Sequence, residues 1–484
     1  MPTTIKAERA KDFKDLFEAR KQAGSFPFSP VLLAHLYVKL DFQPKYENAT
    51  TADDARAFLR SVARASHAAQ MLADRRGGTL MEVQGSLLHI GIPVGNDDFE
   101  PLLSFAGELH QIYNGVFDDR ASRVQSWCMT MDVGKTLVVS QRGVHGDDSW
   151  VSLGTAANRP AKYLYSQLER NKEDRALKDF HIGCWHPTRR EWVIEDLAKI
   201  RVRLDDSVGM VREARQFSPQ VLYKEARSGL KETVARAVPV DFGDPVADKP
   251  EIYFGWLMRA DLDGFTKRVE QCMNDDAKLQ ALATEFYQVM QCAADFTARH
   301  KESMVQLPWA GDNFTAAAVF ATRDSYDDAA PKRLVELALD FEKEMGDRAG
   351  GCGFGGWAYG VAGGTVHGNA GGNVYLGAVI LAGRRFLVGA GEGVGRSAQA
   401  FGDINPKASE LVLYKVDWDR LHDSYKRAFE TAVTVRAQPS TLFKKASALG
   451  LNRVRASAAA APAQTRVSVA PGQYQTFSSK PHHP

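Results

Sequence analysis

Apolar positions along this chain alternate between two rhythms, and the switch from one to the other marks out its elements. Where every second residue is apolar, or the whole run is, a strand is expected; recurrence every three or four residues marks a helix. "VLLAHLYVKLDF", from Val31 to Phe42, reads as a strand. "TADDARAFLRSVARASHAAQMLADRRGG" then reads as a helix with a threonine cap and a glycine stop. Strands "TLMEVQG" and "SLLHIGIP", helix "DDFEPLLSFAGELHQIYNGVF" and strands "VQSWCMTMDVGKTLVVS" and "SWVSLG" follow. Helix "TAANRPAKYLYSQLE" and hairpin "DFHIGCWHPTRREWVIEDL" close the series.

The series then begins again. After a connector, in which "SPQVLYKEARSGLKETVARAVP" is expected to be helical, strand "EIYFGWLMRAD" leads to helix "DAKLQALATEFYQVMQCAADFTARHKE". Strands "MVQLPWAG" and "NFTAAAVFA", helix "APKRLVELALDFEKEMGDR" and glycine-rich strands "CGFGGWAYGVAGGTVHG" and "YLGAVILAGRRFLVG" complete the second half. The same order of elements twice, with little residue identity, points to internal duplication and a cleft shared by two like domains. The expected division is an N-terminal helix at 1–29, domain 1 at 30–200, a helical linker at 201–249, domain 2 at 250–435 and a largely disordered tail at 436–484. From pattern alone the class is α+β.

Composition narrows the setting. The chain has 484 residues, 44% hydrophobic and 25% charged, with a net charge of only +2. That gives no global field for nucleic acid or an anionic membrane, and neither is expected as a partner. Five cysteines show no CxxC or CxxH pairing, which argues for reduced thiols and a cytoplasmic location. No apolar run is long enough to span a membrane.

One stretch carries chemistry. In "RADLDGFTKRVE", Arg259 to Glu270, a strand ends in Asp261 and Asp263, then a glycine, then a helix start whose free N–H groups suit an anion. Later, "AGDNF" turns sharply at Gly311–Asp312, placing Asp312 where it can join Asp261. Two carboxylates sharing divalent metals polarise a nucleophilic oxygen and clamp a phosphate. His181, His186 and His367 lack ligand spacing, and "GAGEGVG" lacks the Lys-Ser/Thr ending of a phosphate loop.

"RADLDGFTKRVE" followed by "AGDNFTAAAVF" resembles the metal-binding half of a class III nucleotidyl cyclase. The resemblance covers roughly residues 30–195 and 250–435. It implies two tandem class III cyclase-like domains, each a ferredoxin-like-derived antiparallel sheet with helices, forming a pseudo-heterodimer. It implies two Mg²⁺ or Mn²⁺ ions held by Asp261, Asp312 and the Leu262 carbonyl, with the turn at Gly264, Phe265 and Thr266 cradling a triphosphate. The family's partner domain supplies an Asn and an Arg from one helix. "GTAANRPAKYL" puts Asn158 and Lys162 there, whereas the second half offers Gly395 and Gln399. Conversely, domain 1 has Asp41 but Ser86 at its second acid position. The defects are complementary, which implies one working site and one dead site. Lys162 replaces a planar fork with a point charge, and Arg159 on the same helix is the alternative. Arg189 or Arg190, in "HPTRREW", falls where the family keeps a cation on the outer phosphates.

The resemblance places Glu82 and Val151 at the two base-reading positions. A carboxylate accepts hydrogen bonds and donates none, so it suits the imide N–H of guanine or uracil rather than adenine or cytosine. An apolar Val151 reads fewer base edges, which favours uracil. The flanking sequence is similar to the stand-alone uridylate cyclases of bacterial Pycsar antiphage defence. The expected activity is thus a lyase converting UTP to 3′,5′-cyclic UMP and pyrophosphate, its product read by a separate effector. A guanylate cyclase is the alternative; a catalytically dead nucleotide-binding relative is the alternative from another class. Pairing within one chain and a homodimer both remain open.

Overall fold

The computed structural model describes residues 30–43, 52–94, 100–118, 123–142, 148–168, 170–202, 207–217, 221–225, 236–240, 254–262, 264–300, 305–306, 309, 311–320, 338–342, 344–345, 357–363, 375–381, 384–390, 411–414, 423–426, 429–434 and 441–445. The expected N-terminal helix, Asp263, Gly395, Gln399 and the last residues of the chain lie outside this set.

In the first half the elements are β1 (Val31–Phe42), α1 (Ala52–Arg75), β2 (Thr79–Gln84), β3 (Leu87–Pro93), α2 (Glu100–Phe117), β4 (Val124–Arg142), β5 (Asp148–Leu153), α3 (Thr155–Leu168), β6 (His181–His186) and β7 (Glu191–Asp196). They build a sheet of order β2-β3-β1-β4-β6-β7, with β5 on the extension of β4. Every pairing is antiparallel except β4 with β6.

Alternation along β1 decides what each face does. Ala34, Leu36, Val38 and Leu40 are buried with Val62, Ala65 and Ala69 of α1 and Phe105, Leu109 and Ile112 of α2. The opposite face carries His35, Tyr37, Lys39 and Asp41, since successive side chains point to opposite sides. That face is polar and yet largely enclosed: His35, Asp132 and Thr136 are fully buried. Thr136 Oγ1 donates to the Gly134 carbonyl at 3.2 Å, so it accepts from His35 Nε2 at 2.9 Å. His35 Nδ1 is then left to accept from His89 Nε2 at 3.0 Å. Both rings are neutral, because burial holds His35 down to about 3 and His89 well below the usual imidazole range.

The linker differs from its helical reading. After α4 (Ser207–Gln216), Val221–Glu225 (β8) and Arg236–Val240 (β9) form an antiparallel pair. "VLY" and "VPV" are rich in β-branched and aromatic residues. β8 pairs on its other side with Gly377–Val379, far along the chain, which local periodicity could not reveal.

The second half contains β10 (Phe254–Leu262), α5 (Phe265–Cys272), α6 (Asp276–Arg299), β11 (Val305–Gln306), β12 (Asn313–Phe320), β13 (Trp357–Gly363), β14 (Tyr375–Leu381), β15 (Arg384–Ala390), β16 (Leu411–Tyr414), β17 (Phe429–Thr434) and β18 (Thr441–Lys445). Its sheet runs β11-β12-β10-β13-β16-β18-β17. Over its first five strands this repeats the order of the first sheet, including the parallel pair, here β13 with β16; beyond it the edge is β18 and then β17, where the first sheet has β7. The hairpin β14–β15 joins β8 and β9 in a separate four-stranded sheet. β18 pairs with both β16 and β17, so the ordered sheet runs past residue 435, where a disordered tail was expected to begin. "TLFKK" is short, and its fit is set by the strands beside it.

The fold is a mixed α+β arrangement of antiparallel-rich sheets with helices, the class III cyclase-like fold.

Candidate functional site

Asp261 and Asp312 meet where two strand ends converge. Asp261 is paired with Asn313 across β10 and β12, and Asp312 follows Gly311 in the turn entering β12. Gly311 has φ +61°, a left-handed conformation that glycine adopts without a Cβ penalty. Enclosure and, next, the charge of Asp261 drive the Asp312 carboxyl well above the ordinary range. The opposing influences are its own backbone N–H, Arg259 and Lys162. Lys162 belongs to α3 of the first half. The two halves of one chain therefore bring a cation and an acid pair within electrostatic reach of each other.

The class III cyclase-like fold implies divalent metal ions, and these residues suit one. Two half-buried carboxylates crowded enough to raise a proton affinity are relieved by a divalent cation. Leu262 is buried, so only its backbone carbonyl is available as a ligand. Among the described residues no three His, Cys, Asp or Glu side chains converge as a further metal cluster.

β10 is followed at once by the start of α5. Gly264, at φ +80°, caps α5 from the left-handed region, and a Cβ there would meet open space. The Phe265 ring is buried against Phe286 at 5.0 Å, so Phe265 can offer a ligand only its backbone. Thr266 faces a cleft of about 420 Å³ lined by Thr155, Asn158, Arg159, Lys162, Tyr163 and Ser166 of α3, Trp192 of β7, and Val269 and Glu270 of α5. Asn158 and Lys162, four residues apart, share one helix face. This cleft lies between the halves of a single chain.

Arg189 and Arg190 are not among its lining residues. Both are exposed on the β6–β7 turn, where Arg189 pairs with Glu191 at 3.7 Å and Arg190 has φ +57°. Sequence reasoning gave Arg159 a subordinate place and missed its anchor, Asp132. Arg159 Nη1 donates to Asp132 Oδ2 at 2.6 Å, and its guanidinium lies 4.5 Å over the Trp185 ring.

Glu82 lies opposite His89, which in turn lies opposite Tyr37, in one row across β2, β3 and β1. It is buried, and among the described residues its Oε1 has no hydrogen-bond partner. Burial pushes its carboxyl up to about 8, against the pull of Arg259. Glu82 is thus largely protonated near neutral pH, and a carboxylic acid donates as well as accepts. This corrects the reading of Glu82 as an ionised acceptor: it does not by itself exclude adenine or cytosine. Burial, above all, raises the Tyr37 hydroxyl well above its ordinary range. Tyr165 keeps 47% of its surface open to solvent. Val151 is buried on β5.

In the first half, Lys39 donates to Ser86. At the matching place in the second, Arg259 Nε donates to Asn313 Oδ1 at 2.7 Å.

No protein-family model matches the chain, and no curated protein sequence matches it. Among solved structures, it is similar to a class III adenylyl cyclase-like ATP-binding protein from Pseudomonas aeruginosa, with a TM-score of 0.63 and 15% identity over 89% of this chain and 92% of that one. That likeness spans both halves and establishes the fold. The adenylyl cyclase CyaB from P. aeruginosa matches at TM-score 0.30 and 11% identity over 41% of this chain and 95% of its own. The guanylyl cyclase Cya2 matches at TM-score 0.30 and 15% identity over 41% and 94%. Among the described residues no helix is long and apolar enough to cross a membrane.

Proposed function

We propose that the protein is a nucleotidyl cyclase that binds a nucleoside triphosphate between its two halves and closes the ribose 3′-oxygen onto the α-phosphate, releasing pyrophosphate. The observation that carries this is the cleft that Lys162 and Asn158 of one half share with Thr266 of the other, with Lys162 close enough to Asp312 to act on it electrostatically. Divalent metal at the acid pair would supply charge to the phosphates and lower the proton affinity of the hydroxyl. Asn158 would orient the ribose, Lys162 would offset charge developing on the α-phosphate, and the Gly264–Thr266 turn would donate backbone N–H groups to the phosphates.

We favour UTP as substrate. A protonated Glu82 can donate to the uracil O4 and accept from its N3–H, and an apolar Val151 at the second base-reading position reads fewer base edges. Cyclic UMP would then serve as a signal for a separate effector, as in the antiphage systems this sequence resembles. A second reading is nucleotide binding without turnover. It is favoured by the description of the neighbour matching both halves as a cyclase-like ATP-binding protein, and by a neutral Glu82 that can also serve adenine.

Incubation of the purified chain with each of the four ribonucleoside triphosphates, with Mn²⁺ or Mg²⁺ and product masses read by mass spectrometry, separates these readings. Cyclic UMP supports the first, and cyclic GMP or cyclic AMP moves the substrate but keeps the activity. Binding without any cyclic product establishes the second.

A further inference from the structure

Two cations of α3, Lys162 and Arg159, line the cleft. Arg159 is turned toward the first-half sheet and the turn end of the β6–β7 hairpin. Among the described residues Asp132 is the only group that accepts a hydrogen bond from Arg159. One nitrogen of the guanidinium is thus committed, while the side chain keeps 35% exposure and lines the cleft. The Asp132 side chain is 1% exposed. Burying a carboxylate is costly unless it is paired, and removing one partner of such a pair leaves the other stranded. Stacking on Trp185 holds the guanidinium from a second side. Trp185 packs edge-on against Trp192, which stacks on Tyr163 at 4.1 Å, and both Trp192 and Tyr163 line the cleft. The result is a guanidinium fixed by an acid and an indole, with donors left for a ligand.

Resting on the nucleotide reading above, we propose that Arg159 holds the outer phosphates of the triphosphate and that Asp132 is the residue that positions it. The work of the cation expected on the β6–β7 turn thereby moves to the helix, and the two cations divide between them the ends of one polyphosphate. A planar fork suits a terminal phosphate, which presents several oxygens at once. Glu270, on the facing wall, is the acid that sets an upper limit on how tightly a bare polyphosphate is held.

Inorganic tripolyphosphate with Mg²⁺ is the probe, because it carries no base and undergoes no cyclisation. Calorimetric titration of the full chain should show binding that Arg159→Ala weakens by about tenfold or more, the scale of charge-assisted hydrogen bonds. Arg159→Lys should weaken it less, Asp132→Asn should weaken it with Arg159 intact, and Asp132→Glu should restore part of the loss. Since Arg159→Ala strands a buried acid, the double variant Arg159→Ala/Asp132→Asn serves as the folded control, and it should bind as poorly as Arg159→Ala. Glu270→Gln should tighten binding. Unchanged affinity in the double variant, or no tripolyphosphate binding by the wild type, overturns the assignment. Neither result bears on cyclisation, which the product masses read separately. If nucleotide is turned over, Arg159→Ala should raise KM more than it lowers kcat.

Discussion

Lys135 of β4 donates to the Asp276 carboxylate at the start of α6, joining the first half of the chain to the second. The same ammonium lies 3.5 Å from the Met273 carbonyl. Lys135 and Asp276 are 34% and 20% exposed, so the pair is partly withdrawn from water and less screened than a surface bridge. If it fixes how the halves dock, Lys135→Met and Asp276→Asn should each lower stability by roughly 1–2 kcal/mol. A double-mutant cycle on denaturant midpoints should return a coupling energy of about 1 kcal/mol or more. A coupling near zero would mean that docking rests elsewhere.

The acid pair and its first-half counterpart give a sharper contrast. Asp261→Ala and Asp312→Ala should abolish turnover while leaving the melting temperature unchanged or higher, since removing one of two crowded carboxylates relieves repulsion. Asp41→Ala, on the half whose second position is Ser86, should leave turnover within about twofold. An inactive Asp41→Ala enzyme would overturn the single-site arrangement. Retained turnover in either second-half variant would remove the acids from the mechanism.

How much of this was legible in the sequence follows from the range of each signal. β1 reads correctly because its alternation is imposed locally by one apolar and one polar face. The duplication reads from element order, and the two sheets share the order of their first five strands. The linker strands β8 and β9 do not read, because they are stabilised by β14, more than a hundred residues away, and sequence window rules do not reach that far. In the site, the acid pair and the glycine turn announce themselves through residue type and spacing. The Asp132–Arg159 anchor does not, because it joins a mid-strand acid to a helix. The protonation of Glu82 is likewise set by enclosure, which no residue spacing reports.

Two glycines separate packing from backbone strain. A Cβ on Gly78 would sit 2.6 Å from the Gly91 carbonyl oxygen, a backbone atom of β3 that cannot swing aside. Gly78→Ala should therefore cost about 1–3 kcal/mol. A Cβ on Gly264 would meet nothing within 4 Å, but φ +80° disfavours any side chain, so Gly264→Ala should cost about 1–2 kcal/mol from conformation alone. Denaturant unfolding measures both. Asn retains access to the left-handed region, so Gly264→Asn should recover part of that loss and Gly78→Asn none. Recovery at residue 78 would contradict the close strand approach.

Glu82 carries a pH dependence with a definite sign. Its carboxyl titrates at about 8 in the folded protein against an ordinary 4.5, chiefly because burial penalises the charged form. Between those values the native state holds a proton that the unfolded chain releases. Stability from this group is therefore full below about pH 4.5 and falls as pH rises toward 8. Glutamine cannot ionise, so Glu82→Gln should remove that slope. At pH 4 the two proteins should differ only by the change of side chain. By pH 8.5 the variant should have gained on the order of a few kcal/mol relative to wild type, since each tenfold difference in proton affinity between the folded and unfolded chain is worth roughly 1.4 kcal/mol. Parallel stability profiles for the two proteins from pH 4 to pH 8.5 would show that Glu82 is ionised in the folded state. In that case the donor it offers a base would be lost, and the carboxylate reading that excludes adenine would return.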